Sequence, residues 1–156
     1  MAWSASKIFA TLIEDALENT AAYNLKTGGD SFKVSLWDND ITPDNTVSTA
    51  NRAYAAGQWV SAGNEVYDAA EWPVTGQALG GVDLTVAAAV IKWDADDEVS
   101  TGTSATLANV YGCMVYDDTV GDSGVCYNYF GGVQSVTDGT FTVVWNSAGI
   151  FTLTLT

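Results

Sequence analysis

The sequence contains no histidine, and only five of its 156 residues are basic, against 19 that are acidic. Histidine is the side chain most used for proton transfer near neutral pH and a common metal ligand, so its absence excludes most hydrolase triads and imidazole metal sites. The formal net charge of −14 repels phosphate backbones and anionic membrane surfaces. We therefore predict no enzymatic activity and no cofactor, and we expect neither nucleic acid nor a membrane as a partner.

Long apolar runs are also missing. None approaches the roughly 20 residues that cross a bilayer, and the opening Met-Ala-Trp-Ser-Ala-Ser-Lys lacks the features of a secretory signal. These patterns predict synthesis in the cytoplasm. Six tryptophans and seven tyrosines make the chain too aromatic for an acidic disordered protein, and its length predicts one domain with a substantial core.

Cysteine is scarce, because Cys113 and Cys126 are the only two. So few cysteines do not make a disulfide framework, and free buried thiols are the simpler alternative. In a hairpin around Thr119, however, a register with Tyr116 opposite Ser123 would place the two cysteines opposite each other. A disulfide is then geometrically possible, so both alternatives stay open at this point.

The N-terminal segment, residues 1–20, has the pattern of one amphipathic helix from about residue 6 to 18. Its apolar residues recur at spacings of three and four, and Ser4 or Ser6 suits the N-cap and Asn19 the C-terminal end. Such a stripe at a chain terminus must be covered, either by its own domain or by a partner. Its candidate docking residues are Ile8, Phe9, Leu12, Ile13 and Leu17.

From residue 30 onward the apolar pattern changes to a period of two, which is typical of antiparallel strands. The predicted strands lie near 32–37, 64–67, 77–84, 86–93, 105–116, 125–130, 140–145 and 150–156, and residues 47–56 fit a short helix or a loop. Glycine-rich turns are predicted between them, including one at Gly131 and Gly132. The fold class is therefore mainly β, an antiparallel β-sandwich or flattened barrel over residues 30–156 with one N-terminal amphipathic helix.

The alternating positions of these strands also predict the core. Its expected members are Phe32, Val34, Leu36, Ile91, Trp93, Leu107, Phe141, Val143, Trp145, Phe151 and Leu153. Two further tryptophans, Trp59 and Trp72, lie in loop-like contexts beside glycine or proline. They are the candidates for an exposed contact, such as stacking on a sugar ring.

An acidic cluster invites comparison with a calcium-binding loop. Asp94, Asp96 and Glu98 have the spacing of the first three ligands, but Val99 stands in place of the required glycine and Ala105 in place of the closing acid. The cluster is therefore predicted to be a solvated loop, and no metal site is predicted.

Several blocks of the sequence, taken together, resemble small virion proteins of tailed bacteriophages, particularly those that infect actinobacteria. The blocks are 32–37, 42–44, 54–59, 64–66, 124–132 and 139–145. These proteins are minor capsid or capsid decoration proteins. The resemblance implies a structural role on the phage particle without enzymatic activity, and it supplies no functional residues.

The predicted function is thus that of a virion structural protein that decorates or stabilises the capsid exterior. The expected partners are the major capsid protein and further copies of the chain, with a trimer preferred over a dimer. Closed symmetry is usual for soluble assemblies, and a shell offers local threefold and twofold sites at which such an oligomer can bridge neighbouring subunits. Two alternatives stay open. One is a carbohydrate-binding or host-recognition module of a phage tail or fibre, using Trp59 and Trp72. The other is a structural component of the tail.

Overall fold

Antiparallel strands dominate the structure, a computed structural model that describes residues 3–156. The strands are β1 (Lys7–Ile8), β2 (Phe32–Trp37), β3 (Glu65–Val66), β4 (Gln77–Ala78), β5 (Asp83–Ala87), β6 (Val90–Asp94), β7 (Glu98–Val99), β8 (Ala105–Asp117), β9 (Ser123–Gly139), β10 (Thr142–Val143) and β11 (Phe151–Thr154). The helices are α1 (Ala10–Glu18) and two single turns, α2 (Thr49–Arg52) and α3 (Ser61–Asn64). The mainly β prediction is confirmed.

The strands form three open sheets. The largest has the order β1-β9-β8-β2-β3, with β4 also pairing with β2, and the other two are β11-β6-β5 and β10-β7. The six-stranded and three-stranded sheets pack against each other where Phe32 of β2 meets Trp93 of β6, with ring centroids 5.2 Å apart. This sandwich-like packing matches the first of the two predicted architectures.

Aromatic rings fill the centre of the core. Trp59 lies edge-on to both Trp3 and Trp37, at centroid distances of 6.0 and 5.3 Å, and all three indoles are buried. Seven of the predicted core residues are buried as expected. The other four, Ile91, Trp145, Phe151 and Leu153, are only half-buried. Three of these lie on β6 and β11, whose face toward α1 is incompletely covered.

The N-terminal helix is shorter than predicted. Residues 7–8 pair with β9 as a strand, so the helix begins only at Ala10. Phe9 occupies the N-cap position without a side-chain cap, and neither predicted serine caps the helix. Asn19 ends the helix in the left-handed conformation, φ 55°, as its residue type suggested.

Two predicted strand boundaries are wrong. The strand predicted over 86–93 is broken by a turn at Ala88, φ 53°, which connects β5 to β6. The turn predicted at Gly131 and Gly132 does not form, because β9 runs through both residues to Gly139. The positive φ of Gly131, 79°, is accommodated within the strand beside a register shift in the β8–β9 pairing.

The predicted register of the cysteine hairpin is also wrong. Tyr116 pairs with Gly124 instead of Ser123, and the ladder shifts by one more residue between Val115 and Tyr116. Cys113 therefore pairs with Asn128 and Cys126 with Val115. Both cysteines are buried and free, which contradicts the disulfide alternative. Burial raises the pKa of the Cys126 thiol to about 12.

Candidate functional site

The predicted docking residues of the N-terminal segment differ in their burial. Phe9 and Leu12 are buried in the core, whereas Ile8 and Ile13 are half-buried. Leu17, in the last turn of α1, has 82% of its surface exposed. The segment therefore contributes to its own core and leaves only part of its apolar stripe for a partner.

A buried ion pair holds α1 in place. Arg52 is fully buried on α2, and its Nη2 donates hydrogen bonds to Asp15 Oδ2 at 2.9 Å and Ser123 Oγ at 2.8 Å, and also to the Tyr23 hydroxyl. Thr49 Oγ1 donates to the same Asp15 carboxylate at 2.9 Å. The network joins α1, α2 and β9 through charged hydrogen bonds, which are stronger than neutral ones.

The ionised form of Asp15 is favoured in this site. Burial acts to raise the pKa of Asp15, but the Thr49 hydrogen bond and the Arg52 charge outweigh it and hold that pKa below its usual value. The ion pair therefore persists throughout the neutral range, and α1 keeps a fixed position on the domain.

An apolar cleft lies beside the exposed side of α1. It has a volume of about 180 Å³ and is lined on one side by Leu12, Ile13 and Ala16 of α1. Leu84, Ile91, Phe151 and Leu153 of the three-stranded sheet, with Tyr23 and Leu25 of the following loop, line the rest. We call this the α1 cleft. Together with exposed Leu17, it forms the candidate interaction surface.

The sequence predicted Trp59 and Trp72 to be exposed, and this is wrong for both. Trp59 lies within the tryptophan core described above. Trp72 packs edge-on against Phe141 at 5.8 Å and closes a tight turn through paired backbone hydrogen bonds with Asp68. Flanking glycine and proline correctly mark loops here, but the loops fold back onto the sheets and bury the indoles. Neither ring is available to stack on a sugar.

The acidic residues of the calcium-like segment make structural contacts. Glu98 accepts a hydrogen bond from Gly80 N at 2.9 Å, and Asp97 accepts one from Trp145 N at 2.8 Å. These bonds tie the β6–β7 connection to neighbouring loops. Within residues 3–156 no group of three or more acidic or cysteine side chains is arranged to hold a metal ion.

Sequence patterns did not reveal the Arg52 network. Ser123 lies 71 positions from Arg52 and 100 positions from Tyr23 along the chain, so no local spacing connects the members of the network. The one available signal is that Arg52 is the only arginine in the chain.

The longest helix in the described part, α1, has nine residues, and no helix there is long and apolar enough to cross a membrane.

Comparisons of the chain with known protein families, curated proteins and solved structures find no match.

Proposed function

We propose that this chain is a non-enzymatic structural protein of a phage virion that decorates or stabilises the outer surface of the capsid. Its partners in this proposal are the major capsid protein and further copies of itself, with a trimer preferred over a dimer. The observation that carries the proposal is the position of Leu17, an exposed leucine one helical turn after Ile13, which lines the α1 cleft. The helix that carries both residues is held by the Arg52–Asp15 ion pair.

The anchoring matters for the energetics of docking. Arg52 fixes α1 through Asp15, so little conformational freedom is lost when a partner covers the helix. Burying one leucine side chain contributes roughly 1.5–3 kcal/mol, and the apolar lining of the cleft adds to this. A surface of this kind suits a permanent contact that is repeated many times on a shell.

The charge supports an outward position on the particle. With a net charge of −14, the chain is repelled by packaged nucleic acid, and the repulsion is strongest on the inner face of a filled capsid. A place on the exterior avoids this cost.

The two alternatives differ in what supports them. The sugar-binding alternative loses its predicted contact residues, since Trp59 and Trp72 are buried. A structural role in the tail uses the same apolar surface, so it is distinguished by location on the particle rather than by chemistry.

Binding to heads that lack the protein tests the proposal. Leu17→Asp is expected to weaken this binding by at least roughly tenfold while leaving the thermal unfolding temperature unchanged, because the side chain is exposed in the free protein. Val99→Asp is the matched control, since it adds the same charge at an exposed aliphatic residue outside α1 and should bind heads like the wild type. Equal binding by both variants, or wild-type binding to tails only, would overturn the proposal.

A further inference from the structure

We infer that the open edge of β9, residues 130–137, is a contact between copies of this chain. β9 spans Ser123–Gly139, but β1 covers its outer side only at Tyr127 and Cys126. Ser6 Oγ accepts the next exposed backbone donor, Tyr129 N, at 3.0 Å. Beyond this point no strand of the described chain pairs with the outer side of β9. We call this stretch the β9 edge.

The β9 edge lacks the usual protection of an edge strand. Native proteins block such edges with charged side chains, proline or a very short strand. Residues 125–137 contain neither a charged residue nor a proline, and β9 is the longest strand in the described structure. By contrast, the edge strand β5 has only five residues and begins with Asp83.

Two glycines open the β9 edge to a close approach. A Cβ atom built on Gly131 or on Gly132 would meet no atom within 4 Å. Gly131 has a positive φ that favours glycine, but Gly132 does not, so nothing within its own chain requires Gly132 to lack a side chain. A glycine inside a strand often marks a place where another backbone comes close.

An uncharged groove lies next to the β9 edge. It has a volume of about 430 Å³, and its lining includes Tyr129, Phe130, Gln134, Phe141 and Val144. Val144 is an exposed member of this lining, and Val133 is exposed on the β9 edge itself. A partner strand on the β9 edge would cover these side chains while its backbone satisfies the open hydrogen-bonding groups.

The charge distribution favours a second copy as the occupant. Residues 139–156, which supply part of the groove, also carry no charge, whereas the other parts of the chain hold 19 acidic residues against five basic ones. Two copies with a net charge of −14 repel each other wherever their carboxylates meet, since like charges across an interface are unfavourable. The β9 edge and its groove let identical copies meet without bringing carboxylates together. A basic partner would instead be drawn to the acidic surfaces.

Symmetry determines which assembly forms. If the β9 edge pairs with itself, the contact is isologous and gives a twofold dimer, whereas an edge that docks on a different surface of the next copy can close a trimer. The inference rests only on the self-association included in the proposed function. It can therefore be tested on purified protein without phage particles.

Sedimentation of the purified full-length chain over a range of concentrations tests the inference. The wild type is expected to form a dimer or trimer. Gly132→Lys is expected to shift this equilibrium toward monomer by at least roughly tenfold in dissociation constant, because a long charged side chain blocks the approach. Ala22→Lys is the matched control, since it adds the same charge at an exposed loop residue outside β9, and it should assemble like the wild type.

Hydrogen exchange of the wild-type protein tests the same inference without the Gly132→Lys variant, which is needed if that variant fails to fold. The amides of residues 131–137 should become protected as the protein concentration rises. A wild type that stays monomeric, exchange at these amides that is independent of concentration, or a folded Gly132→Lys variant that assembles normally would each overturn the inference. Protection of these amides only on binding to heads would assign the edge to a different protein and overturn it too. A wild-type protein that self-associates but does not bind heads would overturn the proposed function instead.

Discussion

The guanidinium of Arg52 donates a hydrogen bond to Asp15 at an N–O distance of 2.9 Å, in a site where the arginine has no exposed surface. Arg52 also donates to Ser123, the first residue of β9, so the single turn α2 connects α1 to the large sheet. The rigidity of the candidate docking helix depends on this contact more than on the helix itself, since a nine-residue helix has little stability alone.

Replacing Arg52 with leucine should lower the free energy of unfolding by about 3–5 kcal/mol, because the substitution leaves a buried carboxylate without its charged partner. Urea denaturation measures this change. Lys33→Leu is the control, since it breaks the partly exposed ion pair with Asp118 and should cost less than about 1 kcal/mol. Similar losses in the two variants would show that the Arg52 network does not anchor the helix.

Asp117 should make the protein less stable as the pH rises from 4 to 6. Burial, together with the nearby Asp30 carboxylate, raises the pKa of Asp117 from 3.8 to about 6. The folded state therefore holds a proton that the unfolded state has already released in this range, and that difference lowers stability with increasing pH. Asp117→Asn keeps the Oδ1 acceptor for Thr119 N and Val120 N and removes the titration. The free energy of unfolding, plotted against pH over this range, should have a different slope in the variant and in the wild type. Identical slopes would contradict the assignment.

The two cysteines should react with a thiol reagent only after unfolding. Both are fully enclosed, and burial raises the pKa of each thiol well above the neutral range, so the reactive thiolate is scarce in the native state. The measured mass of the untreated protein should equal the mass calculated for the chain with both cysteines as free thiols. Rapid labelling of the native protein, or a mass lower by two hydrogens, would contradict this prediction.

Trp59→Ala should cost about 3–5 kcal/mol in unfolding free energy, the usual range for removing a buried large aromatic side chain. Its ring contacts Trp3, Trp37 and Phe9, so a cavity would form at the centre of the core. Tyr67→Ala is the comparison, because Tyr67 is half-exposed and its loss should change stability by no more than about 0.5 kcal/mol. A Trp59→Ala variant as stable as the wild type would contradict the central place of this residue in the core.

Local patterns predicted the parts of the fold that depend on local physics. The alternation in residues 32–37 identified β2, and Asn19 marked the end of α1. The extent of β9 was missed because two adjacent glycines usually indicate a turn, whereas here they lie within a strand. Both glycines fall in the register shift between the β8–β9 pairs Gly112–Tyr129 and Val110–Gln134, and no local pattern predicts such an irregularity within a strand.

The candidate site was only partly predictable for a similar reason. The apolar stripe of α1 was visible in the sequence, but which of its residues remain exposed depends on the sheet that packs against it. The half-buried Ile13 lines the α1 cleft together with residues of the three-stranded sheet, whereas Leu17 is not part of that lining and is exposed. The burial of Trp59 and Trp72 likewise depends on how their loops fold back over the sheets.

The most direct test of the proposed function is a density map of the intact phage particle to which the proposal assigns this chain. The account predicts density for the β domain on the outer surface of the capsid, with Leu17 and the α1 cleft facing the major capsid protein. Density for the chain in the tail, or on the capsid with α1 turned toward solvent, would contradict it.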